Sequence, residues 1–194
     1  TILPPGMPGY TPENAAYAYD PEKAKTLLQQ AGYSPSQKKL SLTILSASKS
    51  KLAQQELSLV AADLAALGVE LKFKHETDWP TFEATLRSGK IQLYRYAWFA
   101  DIPDPDNFLN ILLGSKSRYN FMQYSNPKAD RLFSQALTET EILRRVELYR
   151  EAERLILADA PMIPWIYLTF ESVFQPYVKR LEISALGRPY IPLK

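Results

Sequence analysis

Apolar positions along the chain change period several times, and each period predicts an element. Residues 1–19 show no period and carry prolines at 4, 5, 8 and 12, so they read as irregular chain. Asp20-Pro21 opens a helix over 20–31 that stops at Gly32. Residues 40–46 alternate between polar borders and predict a strand. Leu57, Val60, Ala61, Leu64 and Leu67 then recur at helical spacing, with Gly68 as the stop. Residues 69–74 alternate again, 79–86 fit a short helix ending at Gly89, and 91–99 predict a third strand. Strand, helix, strand, helix, strand with short links gives an α/β fold. The sheet is expected to be mixed but largely parallel, with about four or five strands, helices on both faces and right-handed crossovers.

Past residue 100 the pattern becomes mainly helical. Asp104-Pro105 and Asn126-Pro127 open two helices, because the Asp or Asn side chain caps free amides and proline suits the first helical position. Thr138 and Glu141 have capping-box spacing, and Ile142, Val146, Tyr149, Ala152 and Ile156 form one apolar face of a longer helix. Residues 162–168 read as a further strand, with strand-like pieces at 172–174 and 181–183 among prolines. The chain has no internal repeat.

The stretch from Tyr94 to Phe108 joins the two patterns. It begins as an apolar, aromatic strand holding one arginine, Arg95, and breaks at Pro103. Asp101 therefore sits where a strand ends, the region where open α/β sheets bind ligands. A carboxylate there, beside Trp98, is a candidate partner for a cationic group; the alternative is a turn aspartate that caps the next helix.

Composition narrows the classes. Hydrophobic residues make up 46% of the 194, enough for a core, and the net charge of +2 gives no electrostatic case for nucleic acid or an anionic membrane. No apolar run approaches the roughly 20 residues that span a bilayer. Cysteine is absent, which removes disulfides, thiolate metal sites and cysteine nucleophiles. The single histidine, His75, lies with Glu76 and Asp78 in a predicted loop, a weak metal pattern. No G-x-S-x-G, Walker loop or G-x-G-x-x-G occurs. No catalytic residue and no cofactor is assigned.

Four motifs, in order along the chain, resemble one family. They are Tyr19-Asp20-Pro21-x-Lys23-Ala24-x-x-Leu27-Leu28-x-x-Ala31-Gly32; then Trp98-x-Ala100-Asp101-x-x-x-Pro105-x-x-Phe108-Leu109; then Tyr124-Ser125-Asn126-Pro127-x-x-Asp130; then Leu148-Tyr149-x-x-Ala152-Glu153-x-x-Ile156 continuing through Asp159-Ala160-Pro161-x-Ile163-Pro164. The chain is similar over nearly its whole length to the dipeptide- and oligopeptide-binding receptors of bacterial ABC importers (extracellular solute-binding proteins, family 5).

The resemblance implies one lobe of a two-lobe periplasmic-binding-protein fold. Residues 1–168 would form the C-terminal ligand-binding lobe, and 169–194 would return toward an N-terminal lobe missing from this sequence. It implies a peptide held between lobes, a membrane permease as partner, and a location in the periplasm or on a lipid anchor. It places Asp101 on the free amine of the peptide. Trp98 and Trp79 are candidates for the apolar walls of side-chain pockets, although both also suit a core. Arg95 is a candidate for a ligand carboxylate, with an ion pair to a local acid as the alternative. Tyr167 aligns near the cleft, with hinge packing as its alternative. Rival functions are a receptor of the same family for a nickel chelate, a sugar or glutathione, and an enzyme or interaction module on a similar α/β core.

Overall fold

A computed structural model describes residues 1–14, 17–34, 38–169, 171, 173–183 and 189–190. The chain divides into two units, one of Tyr17–Ala97 and one of Thr1–Ala16 with Trp98–Lys194.

The Tyr17–Ala97 unit holds the α/β pattern as α1 (Pro21–Gln30), β1 (Leu40–Ser46), α2 (Lys51–Ala66), β2 (Val69–His75), α3 (Trp79–Arg87) and β3 (Leu93–Arg95). Each helix starts on a side-chain cap: Asp20 accepts from the Lys23 amide, Ser50 from Ala53 and Asp78 from Thr81. The Thr81 hydroxyl and amide hold the Asp78 carboxyl below its usual range. The sheet runs β2-β1-β3, parallel throughout, with Leu40 opposite Val69 and Ile44 opposite Leu93. In central β1 the consecutive residues Ile44, Leu45 and Ser46 are all buried. Successive side chains point to opposite faces, so both faces are covered, as a parallel sheet requires. The helices contribute Ala53 and Leu57 from α2 and Phe82 and Leu86 from α3 to the buried set.

The expected α/β architecture is present: a parallel sheet flanked by helices. Its sheet is smaller than expected, with three strands among the described residues. The third strand, expected over 91–99, spans only Leu93–Arg95. It pairs with β1 alone, and β1 ends at Ser46 opposite Arg95, so no ladder partner remains beyond that point. Residues 162–168 form no strand; they lie between prolines and stay largely exposed.

The second unit is helical: α4 (Leu109–Leu113), α5 (Pro127–Thr138) and α6 (Ile142–Asp159), with 3-10 turns at Pro12–Asn14 and Pro105–Asn107. Leu109, Leu112 and Leu113 of α4, Phe133 of α5 and Leu148, Tyr149, Ala152 and Ile156 of α6 make one core with Ile2, Leu3 and Phe108. Asn126 caps α5 as expected. The Thr138–Glu141 capping box does not form. Glu141 itself caps α6 through the Leu143 and Arg144 amides, while the Thr138 hydroxyl bonds back to Ser134 and Gln135 in the last turn of α5. A two-residue antiparallel pair, β4 (Glu182–Ile183) with β5 (Pro189–Tyr190), realises part of the strand expected at 181–183. Of the piece expected at 172–174, Ser172 lies outside the described residues, and Val173 and Phe174 are exposed and not in a strand.

Glu153 is the buried charge of this core, at 0% exposure. Its Oε1 accepts from the Ile2 and Leu3 amides at 2.7 and 3.0 Å, and its Oε2 from Asn14 Nδ2 at 2.8 Å. These three bonds compensate the carboxylate and fix the proline-rich lead-in against α6.

Candidate functional site

The turn from Trp98 to Asn107 is built around one buried amide. Asn107 is 4% exposed. The Trp98 indole Nε1 donates to its carbonyl oxygen at 2.8 Å and to its Oδ1 at 3.1 Å. The same Oδ1 accepts from the Asp101 amide at 3.2 Å. The turn is closed further by Asn107 N donating to Asp104 O at 3.1 Å and Asp104 N to Ile102 O at 2.8 Å.

Asp104, not Asp101, caps the following 3-10 turn, accepting from the Asp106 amide at 2.9 Å. The Asp101 side chain is exposed, and its carboxylate has no hydrogen bond or ion pair among the described residues. The capping alternative for Asp101 is therefore not what this turn uses.

Beneath the turn a polar network reaches α6. Arg145 Nη2 donates to Asp104 Oδ1 at 2.9 Å. The buried Tyr149 hydroxyl donates to Asp106 Oδ1 at 2.8 Å, and Asn110 Nδ2 donates to the same oxygen at 3.0 Å. Burial, then the Asp106 carboxylate, pushes the Tyr149 phenol well above its ordinary range. Trp98 is half-buried on this unit's core, with the Tyr119 ring 5.3 Å away at a 58° tilt and the Arg118 guanidinium 4.7 Å from the Tyr119 centroid. Tyr167, in the same unit, donates its hydroxyl to the Thr1 carbonyl at 2.7 Å and meets the Tyr10 ring edge-on at 6.5 Å. Burial raises its phenol pKa.

Trp79 and Arg95 belong to the other unit. Trp79 is 49% exposed, stacks on buried Phe82 at 5.3 Å and lies 5.9 Å from Tyr96, which in turn meets Tyr94 edge-on at 6.3 Å. These four rings form one aromatic cluster, with Phe82 buried beneath the half-exposed Trp79. Arg95 ends β3, in register with Ser46 of β1, which is itself in register with His75 of β2. Its Nε donates to Glu56 Oε2 at 2.7 Å. The local acid considered as an alternative partner for Arg95 is thus present, while its terminal nitrogens have no hydrogen-bond partner among the described residues. The acids near His75 serve local bonds: Asp78 caps α3, and Glu76 Oε1 accepts from the Asp78 amide at 2.9 Å. Among the described residues no group of three His, Cys, Asp or Glu side chains is placed to hold a metal.

Sequence reasoning missed Asn107 and Glu56. Glu56 was findable, because it shares a helical face with Ala53 and Val60. Asn107, following Asp-Pro-Asp, looked like part of a helix start, and no pattern marks its buried amide.

The family model for bacterial extracellular solute-binding proteins, family 5 Middle, matches residues 1–120. The periplasmic murein peptide-binding protein MppA of Escherichia coli is 30% identical over 183 residues, which cover 91% of this chain and 33% of that protein. Heme-binding protein A of Haemophilus influenzae is 31% identical, covering 95% of this chain and 34% of its own. The structure of the periplasmic binding protein DppA from Helicobacter pylori, solved in complex with the peptide STSA, superimposes with a TM-score of 0.72 at 29% identity, over 81% of this chain and 31% of that one. The chain spans about a third of the length of the curated relatives it matches. By name these relatives are binding proteins, not enzymes.

Proposed function

The chain belongs to the bacterial extracellular solute-binding proteins of family 5, and we propose that the protein containing it binds peptides for import by an ABC transporter. In this reading residues 1–168 contribute the ligand-binding lobe and residues 169–194 run back to another lobe. The lobes close on the peptide by a hinge motion and bury it. The protein works in the periplasm or from a lipid anchor, and a separate membrane permease receives the ligand.

The observation that carries the reading is the Asp101 carboxylate. It projects from a turn whose backbone is tied to Asn107, and no protein group satisfies it among the described residues. A free peptide amine supplies the missing charge-assisted donor, and desolvation on closure strengthens that bond. Trp98 and Trp79 would offer flat apolar walls to side chains, Tyr167 would lie near the cleft, and the terminal nitrogens of Arg95 would meet a carboxylate.

A second reading within the family is supported by the 31% identity to a heme-binding protein; nickel chelates, sugars and glutathione are further solutes of this kind. Titration of the full-length protein with trialanine, with hemin and with glutathione separates them. Saturable binding of trialanine alone supports the peptide reading, and binding of hemin without trialanine overturns it.

A further inference from the structure

The turn that carries Asp101 is exposed at Asp101, Ile102 and Pro103, yet it rests on a buried, hydrogen-bonded platform. Pro105, Asn107, Phe108 and Leu109 are all buried, and Asp104 and Asp106 are tied to Arg145 and Tyr149 of α6. Asp104 N to Ile102 O and Trp98 Nε1 to the Asn107 main-chain oxygen, both at 2.8 Å, link platform and turn, and the Asp101 amide is tied to the platform through one side-chain oxygen. Asn107 Oδ1 takes the Trp98 indole and the Asp101 amide together, at 3.1 and 3.2 Å. An amide oxygen has two lone pairs, so one atom can hold two donors.

We propose that Asn107 is the positioning residue of the amine site: its main-chain oxygen and Oδ1 both take the Trp98 indole, and Oδ1 ties the Asp101 backbone to that contact, so that the carboxylate is presented in place before ligand arrives. The proposal rests on the reading that Asp101 meets a ligand ammonium. Without Oδ1 the Asp101 amide has no partner among the described residues, and the exposed segment is held mainly by the bond from Asp104 N to Ile102 O. The carboxylate then has to be ordered by the ligand, and that ordering is subtracted from affinity. The effect falls on ligands with a free amine, because only they use the carboxylate.

The test uses the full-length protein, with trialanine and N-acetyl-trialanine as probes in calorimetry. Wild type is expected to prefer the free peptide. Asn107→Ala is expected to lower that preference by about tenfold, the loss falling mainly on the free peptide. Asn107→Asp keeps an oxygen acceptor in the same place and is expected to retain the preference. A role in folding alone would weaken both peptides alike. The proposal is overturned if Asn107→Ala keeps the wild-type preference or weakens both peptides equally. Should Asn107→Ala not fold, Asn107→Asp decides: a folded variant that has lost the preference overturns the proposal, and one that keeps it supports it. If wild type does not distinguish the two peptides, the reading of Asp101 fails and this proposal falls with it, a result separate from the others.

Discussion

Arg95 and Glu56 form an ion pair in the α/β unit, with Arg95 Nε 2.7 Å from Glu56 Oε2 and side-chain exposures of 30% and 11%. The pair joins the carboxyl end of β3 to the buried face of α2. Breaking a fully buried pair costs about 3–5 kcal/mol, and the exposure of the guanidinium lowers that to about 1–3 kcal/mol here. Glu56→Ala and Arg95→Ala are each expected to destabilise by that amount in urea denaturation. The double variant is expected to cost less than the sum, because each single change leaves the other charge without its partner. If Arg95 meets a ligand carboxylate, C-terminally amidated peptides bind wild type more weakly than free acids, and Arg95→Ala removes the difference.

Glu153 gives a second stability prediction. Glu153→Ala strands the Ile2 and Leu3 amides and Asn14 Nδ2 in the core. Each lost partner costs about 1–3 kcal/mol, so the variant is expected to be among the most damaging in the chain. Glu153→Gln keeps an acceptor for the two amides and is expected to cost less. Equal midpoints in chemical denaturation for the two variants would contradict this account of the lead-in.

Alkaline pH is expected to destabilise the fold through one buried phenol, Tyr149, and two partly buried ones, Tyr94 and Tyr124. Burial raises the pKa of Tyr94, Tyr124 and Tyr149, and Asp159 and Asp106 raise it further in the last two. A group with a raised folded pKa contributes its stability in full below its unfolded value, about 10 for tyrosine, and loses it as pH rises past that value toward the folded one. Stability measured from pH 8 to 11 should fall above pH 10. Tyr149→Phe removes the bond to Asp106 and costs about 1–3 kcal/mol at neutral pH, but its alkaline limb should be shallower than that of wild type.

Local chemistry made much of this fold legible. Asp20-Pro21 and Asn126-Pro127 announced their helices because the caps are formed by adjacent residues, whereas Asp78, read only as part of a loop, is seen to cap α3 in the structure. Alternation over 40–46 and 69–74 announced β1 and β2. Strand length was not legible at 91–99, where an apolar run continues but the neighbouring strand ends. Residues 162–168 have strand-like composition, yet a strand needs a ladder partner and none is present among the described residues. At the site, Asp101 stood out as an acid at an expected strand end, but β3 stops at Arg95, so Asp101 lies in the turn well past the strand. Asn107 did not stand out, because its importance lies in a buried oxygen shared by two donors, a relation of three-dimensional placement with no sequence period.

The most direct test of the central claim, that Asp101 holds the ligand's amine, is a double cycle of Asp101→Asn against N-acetylation of the peptide, read by calorimetry on the full-length protein. Truncating one partner of a desolvated charge pair costs about 2–5 kcal/mol, at least tenfold in affinity. Folding should change little, because the Asp101 carboxylate makes no hydrogen bond among the described residues. The account expects wild type to bind free trialanine at least tenfold more tightly than N-acetyl-trialanine, and Asp101→Asn to bind the two nearly alike, since both changes remove one interaction. Independent, additive losses from the mutation and the acetylation would contradict it.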